Sequence, residues 1–383
     1  MITILHVITG LDTGGAEMML YKLVARSDTA QFRHIVVSLT QVGPVGEKIA
    51  ALCVPVHSLR MRRGMADPRA LLRLLTLMRH VRPDVVQTWL YHADALALPA
   101  AALLRVPVVW NIRSAIDVNE LGPVVAVLAR ACARLSRVPA AVVTNSDTAK
   151  VLHTAIGYRP RQWLVIPNGF DTERFAPDLT ARRDVRRELG LPADALLIGL
   201  VARFDPLKDH QTLLRAAGLL RRQLEGPHFV LVGRDITMSN SELREWIEAS
   251  EVGDRVHLLG ERADIPRLTA ALDIATCSSY GESFPNIIGE AMACAVPCAV
   301  TDVGDAAGIV GDTGRVVPPK DAPALASAWR ELIELGTEGR RELGLRARAR
   351  VEERYSLDSV VRQYETLYER LVKRDLGVAG RST

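Results

Sequence analysis

The sequence predicts an α/β protein made of two doubly wound, parallel-sheet domains. Three observations predict it. Short β-branched runs alternate with longer helical patterns along most of the chain. The alternation breaks at a turn near residue 170 and then restarts. The length of 383 residues is that of two domains at roughly 150 residues each. Strands that alternate with helices pair in parallel through right-handed crossovers.

In the first half, strands are expected near Ile2–Thr9, His34–Leu39, Val54–Leu59, Asp84–Gln87, Val106–Trp110, Ala140–Asn145 and Trp163–Ile166. Helical patterns lie between them, at Ala16–Ala25, Pro68–His80, His92–Leu104, Pro123–Leu135 and Asp147–Ile156. Pro167-Asn168-Gly169 is a turn signal, and Ala176-Pro177-Asp178 reads as linker. Strands resume at Ala195–Val201, Phe229–Val232, Val256–Leu258, Ile274–Thr276 and Cys298–Thr301. The last third is helical, at Ala322–Leu335, Glu338–Arg354 and Leu357–Arg374, and a polar tail follows Asp375. A domain of residues 1–170 and another of 171–356 follow from this. In doubly wound sheets ligands bind at the carboxyl ends of the strands, so the informative motifs should sit just after strands.

Composition narrows the class. Hydrophobic residues at 48% and charged residues at 24% suit a globular protein with sizeable cores. Aromatic residues at 5% are too sparse for base-stacking platforms, which argues against a nucleic-acid partner. Residues 1–170 carry 19 Lys and Arg against 10 Asp and Glu, a charge of +9; the remainder carries 29 against 34, or −5. The asymmetry fits a first half that meets an anionic surface or acceptor, and equally a set of solvated arginines. Cys53, Cys132, Cys277, Cys294 and Cys298 form no C-x-x-C pair and no zinc spacing, which fits a reducing cytoplasm. Met1–Thr9 reads as a strand rather than a secretory leader. The longest apolar candidate, Ala95–Trp110, is broken by Pro99, Arg105 and Pro107 and falls short of a membrane span.

Three motifs carry chemistry. The first strand runs into Gly10-Leu11-Asp12-Thr13-Gly14-Gly15-Ala16-Glu17 and a helix. Glycines there admit a ligand close to the backbone, and the helix start favours phosphate; a tight turn alone would also explain them. Leu196–Val201 ends in Ala202-Arg203-Phe204-Asp205-Pro206-Leu207-Lys208, which sets two cations across a strand exit. Such a pair can stabilise the charge that builds on a departing diphosphate. After the strand Ile274–Thr276 comes Gly281-Glu282-Ser283-Phe284-Pro285-Asn286-Ile287-Ile288-Gly289-Glu290-Ala291-Met292. Pro285 suits a first helical turn, and the amides of Phe284 to Ile287 would be ready for phosphate. Glu290 then falls in the helix among apolar neighbours, where a carboxylate needs a partner.

The combination of Glu282-x7-Glu290, Arg203-x4-Lys208 and Gly14-Gly15 resembles family 4 of the retaining GT-B glycosyltransferases. Val165-Ile166-Pro167-Asn168-Gly169-Phe170-Asp171 and Gly311-Asp312-Thr313-Gly314 also resemble that family, so the likeness spans nearly the whole chain. It implies two Rossmann-like domains facing across a cleft, with residues 357–374 crossing back onto the first. It implies transfer of a sugar with retention from a nucleotide-sugar donor, uridine being favoured over guanosine. The acceptor would be a glycan or lipid-linked glycan of bacterial surface polysaccharide. Glu282 would contact the donor sugar, Glu290 the ribose, and Arg203 and Lys208 the diphosphate. Gly14, Gly15, Ser283, Phe284, Pro285, Asn286 and Ile287 would complete the donor site. No metal and no cofactor is implied.

The chain departs from the family at two places. Arg113 follows the strand where many members carry a histidine; an arginine cannot act as a general base, though it could bind a phosphate or a sugar oxygen, of the acceptor or the donor. Ala295 stands where a glycine commonly precedes Pro297. In Trp89-Leu90-Tyr91-His92-Ala93-Asp94, the ring of Trp89, together with His92 and Asp94, could meet an acceptor sugar; core aromatics with Asp94 as a helix cap would explain them as well. Arg60, Arg62 and Arg63, with Arg130, Arg134 and Arg137, could form a basic patch against the inner face of a membrane, or simply solvated helix faces. A nucleotide-sugar epimerase on the same scaffold, or a non-catalytic sugar-nucleotide binder, are the alternatives.

Overall fold

The computed structural model describes residues 1–62, 67–115, 122–224 and 226–379, with side chains up to residue 373. The chain forms two compact units: Met1–Gly169 with Leu357–Thr383, and Phe170–Ser356.

The first unit is a seven-stranded sheet in the order β3-β2-β1-β4-β5-β6-β7, with every pairing parallel. Its strands are β1 (Ile2–Ile8), β2 (Phe32–Ser38), β3 (Val56–Ser58), β4 (Val85–Trp89), β5 (Val108–Ile112), β6 (Ala141–Thr144) and β7 (Trp163–Val165). Both faces are buried, so the strands read as near-continuous apolar runs. On one face lie α3 (Pro68–Val81), α4 (Tyr91–Leu104) and α5 (Pro123–Leu135), packed on Leu5, Val7, Val86 and Trp110. On the other lie α1 (Gly15–Arg26), α2 (Pro44–Ala50) and α15 (Leu357–Ala379), packed on Ile4, Ile8, Val85 and Trp89. The remaining helix, α6 (Asp147–Ala155), is capped by the Ser146 hydroxyl at Ala149 N–H.

The last helix belongs to this unit because its tyrosines meet a polar layer on the sheet. The side chain of Asn111 donates to the Tyr364 hydroxyl at 3.1 Å, and the Tyr368 hydroxyl donates to Gln87. Tyr364 stacks on Trp89 and Tyr368 meets Phe32 edge-on. At the rim, Arg26 pairs with Asp358 at 2.6 Å, and Glu365 accepts from the Ser27 hydroxyl at 2.7 Å. The helix runs to Ala379, so the residues from Asp375 to there are not the loose tail that composition suggests.

The second unit is a six-stranded parallel sheet in the order β10-β9-β8-β11-β12-β13. The strands are β8 (Leu197–Val201), β9 (His228–Val232), β10 (Val256–Leu258), β11 (Ile274–Cys277), β12 (Cys298–Thr301) and β13 (Arg315–Val317). On one face pack α8 (His210–Arg221), α9 (Ser241–Ala249) and α13 (Ala322–Glu334). On the other pack α7 (Leu179–Glu188), α10 (Ile265–Ala270), α11 (Asn286–Ala293), α12 (Ala306–Val310) and α14 (Gly336–Tyr355). Asp178 is no linker residue: its carboxylate caps α7, accepting from Thr180 N–H at 2.8 Å and Ala181 N–H at 2.9 Å. One buried carboxylate fastens that helix to the sheet, as Asp273 receives Arg182 at 2.6 Å, Arg186 at 2.7 Å and Leu197 N–H at 2.8 Å.

Candidate functional site

The site is built where β8 and β11, neighbours in the second sheet, end. After β8 the chain enters a 3-10 turn at Pro206–Lys208. Asp205 caps that turn, its Oδ1 accepting from Leu207 N–H at 3.0 Å. Its Oδ2 takes both prongs of Arg203, Nε at 3.1 Å and Nη2 at 2.7 Å. The Asp205 carboxyl is partly desolvated, but the Arg203 fork and the Leu207 amide outweigh that and hold its pKa below the ordinary value. One carboxylate thus orients the first cation and the turn that bears the second. Arg203 keeps about half of its side chain exposed, 51%, so its remaining donors face solvent.

Lys208 reaches across to the loop after β11. Its Nζ donates to Glu282 Oε1, and the Ser279 hydroxyl donates to the same oxygen at 2.9 Å. Two backbone links hold the loops in register: the Ser278 hydroxyl donates to Lys208 O at 2.8 Å and Tyr280 N–H to Leu207 O at 2.9 Å. Gly281 lets them approach, since a Cβ there would sit 2.9 Å from Leu207 Cδ2. Gly304, after β12, is in the left-handed region at φ +55°, and a Cβ would lie 2.5 Å from the carbonyls of Glu282 and Ser283. The Ser283 carbonyl in turn accepts Asp305 N–H at 3.1 Å. Beyond β13, Lys320 places its ammonium 4.0 Å from the Tyr280 ring centre, an attractive cation–π arrangement. Three cations therefore rim the carboxyl ends of this sheet.

The helix α11 starts at Asn286, with Pro285 as its cap residue rather than inside the first turn. Asn286 and Ile287 head the helix, at the positive end of its dipole. Glu290 is half-buried one turn further on. The ring of Phe284 packs into the core of the second unit, so only its backbone amide is available to a ligand. The ring is 6% exposed and lies between Phe170 and Tyr355, with ring centres 6.1 and 5.8 Å away. Gly289 admits Phe170 to this cluster, since a Cβ there would sit 2.1 Å from the ring. Ala295 has φ +57°. The family's glycine at that position therefore answers a left-handed backbone just past the end of α11, not packing alone.

In the first unit, Gly14 is the extended cap of α1 and Gly15 its exposed first residue. Glu17 folds back over that helix start, its Oε2 lying 2.3 Å from where a Gly14 Cβ would be. Burial, opposed by its own backbone amide and aided by Asp12, raises the Glu17 pKa.

Of Trp89, His92 and Asp94, only His92 is exposed, in the first turn of α4. Trp89 is 0% exposed, and its indole N–H donates to His6 Nδ1 at 3.3 Å. It sits inside the strand, not past its end, and is a core residue rather than a sugar platform. Asp94 is also fully buried, bonded to the Thr88 hydroxyl, and burial drives its pKa well up. It is neither an acceptor contact nor a cap. Arg113 is half-buried, donates to the Tyr364 hydroxyl at 3.1 Å and to Asn168, and lies 5.6 Å from the Trp89 ring centre. Asp205, Ser279 and Glu17 are the residues to which sequence reasoning gave no role. The Asp-Pro pair at 205–206 was the one available signal for a cap.

Two family models match the chain. "Glycosyltransferase Family 4" matches residues 13–174, and "Glycosyl transferases group 1" matches residues 195–335. The chain belongs to the family 4, group 1 glycosyltransferases. Among relatives of this family, the N-acetyl-alpha-D-glucosaminyl L-malate synthase of Bacillus anthracis is 27% identical over 61% of this chain and 61% of its own length. The D-inositol 3-phosphate glycosyltransferase of Kineococcus radiotolerans is 32% identical over 55% of this chain and 53% of its own length. The chain thus spans between half and two thirds of these relatives. The Anabaena Alr3699/HepE structure in complex with UDP superposes with a TM-score of 0.85 at 24% identity, covering 96% of this chain and all of that one. The Rickettsia africae glycosyltransferase superposes at 0.84 with 18% identity over 97% of this chain and 99% of its own. The fold is the GT-B architecture of two Rossmann-like domains. Among the described residues no helix is long and apolar enough to cross a membrane.

Proposed function

We propose that this glycosyltransferase-family chain transfers a sugar, with retention, from a UDP-sugar to a hydroxyl of a glycan or lipid-linked acceptor. The observation that carries the reading is the Lys208–Glu282–Ser279 cluster beside the Arg203–Asp205 fork at the ends of β8 and β11. The second unit would hold the donor and the first the acceptor. Arg203 and Lys208 would bind the diphosphate and stabilise the charge it gains as the sugar–oxygen bond breaks, a preorganised electrostatic role. The amides heading α11 would assist, Glu290 would hold the ribose and Glu282 the sugar hydroxyls. With two cations on the diphosphate, turnover would need no metal. The bond from the anomeric carbon to the diphosphate breaks, the bond to the acceptor oxygen forms on the same face, and the acceptor proton passes to the departing diphosphate oxygen. The capture of Anabaena HepE with UDP and with UDP-glucose supports a uridine donor.

A thermal-shift panel of nucleotide sugars tests this. A ligand in excess of its Kd stabilises the native state by mass action, so a UDP-sugar should raise the Tm most. Stabilisation by a guanosine or adenosine sugar alone would overturn the uridine assignment; stabilisation by none would overturn the donor site.

A further inference from the structure

Beneath the Lys208–Glu282 pair lies a layer of small polar side chains closed to solvent. Cys277, Ser279 and Thr301 are each 1% exposed. Cys277 ends β11 and Thr301 ends β12, its neighbour in the sheet. The Thr301 hydroxyl donates to the Ser279 carbonyl and lies 3.2 Å from that of Cys277. The Cys277 thiol donates to the Ser279 hydroxyl at 3.6 Å, and that hydroxyl donates onward to Glu282 Oε1 at 2.9 Å. Burial, followed by the nearby Glu282 charge, pushes the Cys277 thiol pKa up to about 11. The thiol therefore keeps its proton, and the chain of donors runs one way, towards the carboxylate.

Glu282 is addressed on one oxygen only. Lys208 and Ser279 both donate to Oε1, and among the described residues nothing donates to Oε2. A carboxylate on a long side chain in a loop has many orientations to lose, and a lysine on a flexible stem is a point charge that follows them rather than selecting one. A short side chain rooted just past a strand end, and itself held by two partners, does select one. We propose that Ser279, held by Thr301 and Cys277, is the positioning residue that locks Glu282 with Oε2 presented to the donor sugar. Ser279 is buried and acts through Glu282 rather than on substrate. The proposal rests on the reading that Glu282 meets the donor sugar, and adds which oxygen does so and what aims it. An acceptor aimed in advance needs no reordering as the sugar departs.

The test uses the full chain. Calorimetry gives the affinity for UDP, and turnover is UDP released, without acceptor, from the UDP-sugar that stabilises the parent most. Ser279→Ala should lower kcat about tenfold, the effect of losing one hydrogen bond to a charged group. UDP should still bind within about twofold of the parent, because Arg203 and Lys208 stay in place. Ser279→Thr keeps the hydroxyl and should restore kcat. Thr301→Val removes a hydroxyl at constant size and should lower kcat about threefold; it decides the matter if the added methyl of Ser279→Thr lowers the Tm. A serine that only supports the fold would lose UDP affinity and Tm in step with kcat, and that outcome overturns the proposal. Parental kcat in Ser279→Ala or in Thr301→Val overturns it too. Glu282→Gln, measured alongside, separates the two failures: parental kcat there would remove the sugar-contact reading itself, and the positioning role with it.

Discussion

Lys208 donates to Glu282, and that contact joins the turn after β8 to the loop after β11. Both side chains are mostly buried, at 23% and 14% exposure, so breaking the pair costs more than breaking a surface ion pair. Removing Lys208 would leave Glu282 with Ser279 as its remaining hydrogen-bond donor in the cluster. Removing one member of such a pair costs the desolvation of the other.

Lys208→Ala and Arg203→Ala should therefore both weaken UDP binding, by about 10- to 100-fold each, the range of a lost charge-assisted hydrogen bond. Isothermal calorimetry measures it. Arg203→Ala should do so with little change in Tm, because that side chain is half exposed, whereas Lys208→Ala should also lower the Tm. Parent-like affinity in both variants would remove the diphosphate from this site. Parental turnover should persist in EDTA, since the charge is met by side chains.

The two glutamates should fail differently. Ribose contacts are alike in ground and transition states, so Glu290→Gln should raise KM for the donor and spare kcat. Glu282 lies where charge develops, so Glu282→Gln should lower kcat about 100-fold, of the order seen on losing one oxyanion-type interaction. Steady-state kinetics separate the cases. The opposite split would exchange the two roles.

Asp205→Asn should act through Arg203 rather than on substrate. The amide can still cap Leu207 N–H through its oxygen but loses the charge that holds the guanidinium fork. KM for the donor should rise several-fold with kcat nearly unchanged. The Asp205 pKa is held down, so its contribution is present above the ordinary carboxylate range and is lost as pH falls through the lowered value. Parent and variant KM should thus converge only in strong acid. A variant that instead lost kcat alone would place Asp205 in the chemical step.

The fold was legible because both sheets are buried on both faces. Val256–Leu258 and Cys298–Thr301 coincide with β10 and β12. The first unit's helices fall within a residue or two of their patterns for the same reason. Short, half-exposed elements gave weaker signals: β13 has three residues with one exposed, and α2 opens on Gly43-Pro44, which also reads as a turn. Trp89 shows how a small boundary error changes a role. Ending β4 at Gln87 puts the indole in a loop after the strand, whereas the pairing of Ile8 with Trp89 keeps it in the ladder, facing α15. The pairing of Lys208 with Glu282 joins residues 74 apart in sequence, and no local pattern encodes such a contact.

Ala295→Gly should stabilise the protein. A non-glycine residue in the left-handed region costs about 1–2 kcal/mol, and Ala295 stands there directly after α11. Glycine relieves this at a small cost in unfolded-chain entropy, for a net gain of about 0.5–1 kcal/mol. Denaturant titration should show a higher midpoint with an unchanged slope. The close approach of α14, where a Cβ on Gly344 would lie 1.9 Å from Ala295 O, leaves the backbone no alternative conformation. A lower midpoint would show that the methyl group of Ala295 contributes more packing than the strain costs.

Stability should also fall in mild acid because of a histidine chain under α15. The Trp89 indole N–H donates to His6 Nδ1, so His6 carries its proton on Nε2 and donates to His34 Nδ1 at 2.9 Å. His34 Nε2 then has no hydrogen-bond partner among the described residues. Each ring accepts at one nitrogen, so protonating either would set two N–H groups against each other. Against them lie Trp89 on β4 and Phe32 on β2, with Tyr364 and Tyr368 of α15 stacked beyond those rings, and none of these carries a charge to offset an imidazolium. Burial lowers the His34 pKa to about 4 and that of His6 well below its usual value, the latter helped by His34. With the folded pKa depressed, the unfolded chain binds more protons between about pH 6.5 and pH 4. Stability is therefore full above that window and is lost as pH falls through it. His153 and His210, also shifted down by burial, add to the loss elsewhere in the chain. His34→Leu should be less stable than the parent at pH 8, because His6 Nε2–H loses its acceptor. Its unfolding free energy should nonetheless fall less steeply with acid, by up to about 1.4 kcal/mol per pH unit for the one proton removed. Chemical denaturation at pH 8, 6 and 5 measures both quantities. Parallel pH profiles for variant and parent would show that His34 is not among the groups that set the acid limit.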